Sequence, residues 1–114
     1  MVMKFTVPLG AVVVGTDGSA SSRRAVEWAA AEAAQRGVPA LIVYVAEWAG
    51  MGFPGVQPVS ERELLTLGEK LVTKELARVR AQFADVQVRG ELTTGDASAV
   101  LIEASHRAGL VIVG

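Results

Sequence analysis

Residues 15–19 read Gly-Thr-Asp-Gly-Ser, one carboxylate, two hydroxyls and two glycines in a row, directly after the apolar run AVVV at residues 11–14. That combination suits holding a ligand rather than transforming one. A carboxylate, hydroxyls and backbone amides freed by small residues can meet a bound molecule. No second His, no Cys and no paired base stands beside them to build a nucleophile. His106 is the single His and Cys is absent, so thiolate zinc sites, disulfides and Cys nucleophiles are excluded. The candidate set is therefore Gly15, Thr16, Asp17, Gly18 and Ser19.

Such a turn needs an element to aim it. Four apolar residues without polar alternation predict a strand buried on both faces, as in a parallel sheet covered by helices. Ligands of open α/β sheets sit outside the carboxyl ends of strands, where this turn falls. Ser21 and Ser22 can cap a helix to about Arg36, with Val26, Ala29, Ala30 and Ala33 on one face and Gly37 and Pro39 as stop signals. Residues 40–45 (ALIVYV) predict a second buried strand. Residues 46–59, rich in Gly and Pro, predict a long loop. Ser60 and Glu63 form a capping box for a helix to about Phe83, whose stripe is Leu64, Leu67, Leu71, Val72, Leu76, Val79 and Phe83. Residues 86–92 (VQVRGEL) alternate, predicting a strand with one wet face near a sheet edge. Residues 93–95 turn into a helix capped by Asp96, with Ala97, Leu101, Ala104 and Ala108 inward and Gly109 at its end. Residues 110–113 predict a fourth buried strand.

The pattern βαβαβαβ predicts one α/β domain over residues 11–114, preceded by an arm at 1–10, with a parallel sheet; pattern alone does not fix the strand order, and 3-2-1-4 is one economical arrangement. That order puts a switch point between strands 1 and 4, so Asp17 and Gly114 flank one crevice. A strand at the last residues predicts a further helix and strand of about 25–30 residues, and so a longer natural chain. With 11 Lys and Arg against 12 Asp and Glu, the net charge is −1, with no block of like charge. Nothing here predicts a nucleic-acid or membrane partner. With no signal peptide and no apolar run near the roughly 20 residues of a span, a cytoplasmic protein is expected.

Other residues carry two readings each. Asp17 can be a turn residue or a ligand contact, and Ser19 a helix cap or a contact. Gly15 and Gly18 serve backbone freedom or closeness to a ligand. Gly95 and Asp96 end a turn and cap a helix, or face the ligand. His106 reads as a surface cation near a helix C-terminus. Trp28 and Trp48 read as packing residues, with Trp48 also able to cover a base. Met51 and Phe53 are candidate lid or partner contacts, and Arg23 and Arg24 are solvated or reach toward phosphates.

The segments VVVGTDGS (12–19), SRRAVEWAAAEAAQRG (22–37), ALIVYV (40–45), TTGDASAVLIEAS (93–105) and GLVIVG (109–114) together resemble the universal stress protein family. The Ala-rich first helix looks most like actinobacterial members, some of which carry two such domains in tandem. The resemblance implies a Rossmann-like, five-stranded α/β sheet that often dimerises through its last strand. It implies a regulatory module in stress response that binds ATP or AMP, with Mg²⁺ accompanying ATP. An interaction or dimerisation module of the same fold that binds no nucleotide is the alternative. In nucleotide-binding members the residues matching Asp17 and Gly15 contact the nucleoside, and the backbone at Val45 meets adenine. Phosphates are held by a Gly-x-x-Gly, nine residues, then Gly-Ser or Gly-Thr. Gly114 matches the first of these glycines, and the others, like the fifth strand, are not in this sequence. ATP pyrophosphatases of related architecture carry Ser-Gly-Gly-x-Asp-Ser after the first strand, unlike Gly-Thr-Asp-Gly-Ser here.

Overall fold

In the continuous apolar run, successive side chains serve opposite faces of one sheet. The computed structural model describes residues 5–46 and 60–114. Strand β1 (Val12–Thr16) sends Val12 and Val14 into one core with Ala29, Ala30, Ala33 and Ile42, and Val13 into another with Leu41, Val43, Val100 and Ala104. Two dry faces explain why the run shows no polar alternation. Strands β2 (Ala40–Ala46), β3 (Val88–Thr94) and β4 (Leu110–Val113) join it in the order β3-β2-β1-β4, all pairs parallel. The predicted order and class hold.

Helices α1 (Ala20–Arg36) and α2 (Glu61–Gln82) cover the first core, and α3 (Ala97–Ser105) covers the second. Val7, wholly buried, packs in α3's core, and its carbonyl accepts from Arg107 Nε at 2.7 Å. The second half of the expected arm is thus fastened to the body.

Several expectations shift. The cap of α1 is Ser19, whose hydroxyl accepts from Ser22 N at 3.1 Å, so the helix begins at Ala20 rather than after Ser21 or Ser22. Ser22 instead turns inward and is buried. Trp28 is not a packing residue, because it lies on the outer face of α1 and is 56% exposed. In α2, Ser60 caps as expected, accepting from Glu63 N at 3.1 Å. Leu67, however, points outward at 58% exposure, and Gly68 and Glu75 take buried positions. The phase is set by Gly68, where an added Cβ would stand 2.7 Å from both Tyr44 Cδ1 and Leu92 Cδ1. Only a bare backbone lets the helix lie that close to the sheet.

Strand β3 runs two residues later than residues 86–92, because its register is fixed by β2 from Ala40↔Val88 to Ala46↔Thr94. It is an edge strand, and Arg89 and Glu91 meet on its wet side. Strand β4 is half-buried rather than buried, with Val113 exposed, since among the described residues it pairs with β1 alone. The residues named at Trp48, Met51 and Phe53 lie outside the described residues. Among the described residues, no helix is long and apolar enough to cross a membrane.

Candidate functional site

Three strands and one helix end at a common point. The carboxyl ends of β1, β2 and β4 and the first turn of α3 enclose a cavity of about 230 Å³. Gly15, Thr16, Asp17, Val43, Val45, Ala97, Leu101, Val113 and Gly114 line it. It lies at the switch point between β1 and β4, where this fold class leaves a crevice. Of the expected residues, Gly15, Thr16, Asp17, Val45 and Gly114 come together here, although β2 and β4 are far from β1 in sequence. Gly18 and Ser19 do not line the cavity. Gly18, at φ +86°, turns the chain beneath Leu71 of α2, and Ser19 is spent on the cap of α1.

The residues that sequence reasoning missed are Val43, Ala97, Leu101 and Val113. Each had a periodic signal. Val43 lies two residues before Val45 on the same strand face, and Ala97 and Leu101 are four apart on one helix face. Leu101, expected in the core, forms a cavity wall against Gly15, where an added Cβ would stand 3.1 Å from Leu101 Cδ1. Gly95 and Asp96 do not line the cavity. Asp96 caps α3, accepting from Ala99 N at 2.9 Å. His106 is exposed at the opposite end of α3.

The turn is held by an ordered chain of hydrogen bonds. Gly18 N donates to Thr16 Oγ1 at 3.2 Å, and Ser22 Oγ donates to the Ser19 carbonyl at 3.0 Å. Thr16 Oγ1 and Ser22 Oγ lie 3.1 Å apart. Because Ser22 spends its only hydroxyl proton on Ser19, Thr16 is the donor between them. Thr16 and Ser22 are both buried, so this pairing removes what would be two costly orphan hydroxyls.

Above them Ser19 N donates to Asp17 Oδ1 at 2.9 Å. Hydrogen bonds from the Ser19 side chain and backbone hold the exposed Asp17 carboxyl below its ordinary value of 3.8. Asp17 is therefore an anion at neutral pH, able only to accept hydrogen bonds. Val43, Val45, Leu101 and Val113 supply apolar walls, and Asp17 is the one titratable group among the described lining residues. A flat, largely apolar ligand with an N–H or O–H donor at its rim matches that lining. Among the described residues, no three of His, Asp and Glu gather where they could hold a metal ion.

Known proteins resemble this chain in sequence and fold. A family profile described as the universal stress protein family matches residues 9–114. Universal stress protein Rv1996 of Mycobacterium tuberculosis is 34% identical over 112 residues, covering 94% of this chain and 35% of that protein. The chain thus spans about a third of the length of such relatives. Among solved structures, a universal stress protein in complex with cAMP superposes with a TM-score of 0.70 at 24% identity, covering 93% of this chain and 76% of that one. The universal stress protein from Archaeoglobus fulgidus in complex with dAMP gives 0.60 at 19%, covering 85% and 73%. These two likenesses carry the fold, and the profile match over residues 9–114 carries the membership. The chain belongs to the universal stress protein family.

Proposed function

We propose that this chain is a regulatory module of stress response that binds an adenine nucleotide, with the nucleoside in the cavity and Asp17 accepting a hydrogen bond from it. The observation that carries the reading is convergence: Gly15, Asp17, Val45 and Gly114, drawn from three strand ends, line one small cavity. The solved relatives in complex with cAMP and dAMP support the same ligand class. The nucleotide is ATP, with its Mg²⁺, or AMP, and the nucleoside is the part the lining meets. The carboxylate of Asp17 repels phosphate, so the phosphate belongs at the Gly114 side, away from it. No step of catalysis is assigned to the lining, and a cytoplasmic site of action belongs to the same reading.

A second reading, association with a like chain or a tandem domain without nucleotide, is favoured by one observation. Among the described residues, strand β4 pairs with β1 alone, and Val113 is 69% exposed.

Calorimetric titration of the chain with AMP separates the two. The nucleotide reading expects a saturable heat, and Asp17→Ala weakens the affinity by about tenfold or more, the worth of one hydrogen bond to a charged group. No heat with the unaltered chain leaves association as the surviving function. Equal affinity in Asp17→Ala removes Asp17 from the site.

A further inference from the structure

We infer that Ser22 is a positioning residue of the nucleotide site: it touches no cavity surface, yet its hydroxyl fixes the Asp17 turn through Thr16 and Ser19, within the same turn of helix on which Gly114 rests. The inference builds on the nucleotide reading above and assigns a task within that site.

Three observations meet at this side chain. First, Ser22 is 1% exposed, in the first turn of α1, and its hydroxyl does not cap that helix. Ser19 does the capping, so Ser22 Oγ is free for another task. Second, its hydroxyl is the middle link of an ordered chain. Gly18 N–H donates to Thr16, Thr16 donates to Ser22, and Ser22 donates to the Ser19 carbonyl. Both residues flanking Asp17 are therefore gripped, Thr16 by its hydroxyl and Gly18 by its amide. The backbone on both sides of Asp17 is thereby held, and Ser19 N–H holds the carboxylate itself.

Third, the same turn of helix supports the other side of the cavity. A Cβ at Gly114 would stand 2.8 Å from the Ser21 carbonyl, 3.0 Å from Ser22 Cα and 2.7 Å from Ala25 Cβ. The end of β4 thus lies directly on the first turn of α1. One turn of helix then sets the distance between the carboxylate side and the Gly114 side of the cavity. A chain of buried hydroxyls is suited to this, because each lost link leaves an unpaired polar group and the remaining links weaken with it.

The test uses a double-mutant cycle and one ligand-free readout. Ser22→Ala is expected to weaken AMP binding about tenfold, and Thr16→Val by a similar factor, since each breaks the same chain. Combined, they weaken it no more than about twofold beyond either alone, because coupled residues do not add. Ser22→Thr keeps a hydroxyl able to reach the carbonyl three residues back and restores binding to within about threefold.

Carboxyl-carbon NMR of the unliganded chain follows Asp17 directly. Its midpoint lies below the ordinary 3.8 in the unaltered chain; it is expected to rise in Ser22→Ala and also in Thr16→Val, whose side chain gives Asp17 no hydrogen bond of its own. Val79→Ala, a core change remote from the turn, lowers melting temperature but leaves the Asp17 midpoint in place. Additive losses in the cycle, or a Ser22→Ala chain with an unshifted Asp17 midpoint, overturn the inference. If the unaltered chain does not bind AMP, the nucleotide reading falls, while the Asp17 midpoint still decides whether Ser22 holds the turn.

Discussion

Replacing Gly18 by alanine is expected to cost about 2–3 kcal/mol of stability, whereas the same change at Gly37 costs only about 1 kcal/mol. Both glycines sit in the left-handed region, at φ +86° and +65°, so both substitutions share the penalty of placing a side chain there. They differ in space. At Gly37, which closes α1 by donating to the Ala33 and Ala34 carbonyls, nothing lies within 4 Å of an added Cβ. At Gly18 the added atom falls inside the van der Waals envelope of Leu71 Cδ1. Leu71 must rotate away and give up packing of α2 over the turn, which supplies the excess. Urea denaturation of the two variants reads this difference, and equal losses would show that Leu71 moves freely. Only Gly18→Ala is expected to weaken AMP binding as well, because the turn it distorts carries Asp17.

The second large effect is expected at Arg78, far from the cavity. Its guanidinium bonds to Glu75 on its own helix, to Glu27 on α1, and to the Arg23 carbonyl at 3.4 Å. Glu75 is 4% exposed, on the face of α2 turned toward the protein. Arg78→Met strands that carboxylate without a cation. Breaking a fully buried pair costs roughly 3–5 kcal/mol, and partial exposure of Arg78 and Glu27 reduces this to about 2–3 kcal/mol. The melting temperature should fall by roughly 10 °C. Glu27→Ala, which removes the exposed partner, should cost less than about 1 kcal/mol. Joint replacement by Glu75→Leu and Arg78→Met should recover most of the loss, since the charge and its partner leave together. A single Arg78→Met variant as stable as the unaltered chain would mean that water reaches Glu75.

The two effects mark where sequence reading succeeds and where it stops. Residues 12–14 and 40–43 were legible as doubly buried strands because burial on both faces removes every polar residue from the run. The strand order was not fixed by the pattern; 3-2-1-4 was one economical arrangement, with the half-wet third strand placed outward, and the sheet adopts it. The cap of α1 was not legible. Ser19, Ser21 and Ser22 are all competent caps, and the choice is made by Thr16, which draws Ser22 inward. The phase of α2 was misread at Leu67 for a similar reason. Hydrophobicity favours Leu67, but contact with Tyr44 and Leu92 needs Gly68 on the inner face. Glu75 could not be read as buried, because its partners Arg78 and Glu27 meet only across two packed helices.

The site shows the same division. Asp17 and Gly114 were visible as strand-end positions, which a parallel sheet brings together whatever the loops do, whereas Val45 was named only through the family resemblance. Val43, Ala97, Leu101 and Val113 complete the cavity from faces that sequence assigns simply to core. Ser22 escaped notice as a functional residue because it acts through two neighbours and borders no cavity.

The central claim is that the cavity at the ends of β1, β2 and β4 is where an adenine nucleotide binds. Amide NMR spectra of the ¹⁵N-labelled chain during titration with AMP test it most directly. The account predicts saturable shifts centred on Gly15, Thr16, Asp17, Val45, Leu101 and Gly114. The groove at the opposite end of the sheet, lined by Gly37, Val38, Asp85 and Gln87, should stay unchanged. Shifts centred on that groove, or none at any AMP concentration, would contradict it.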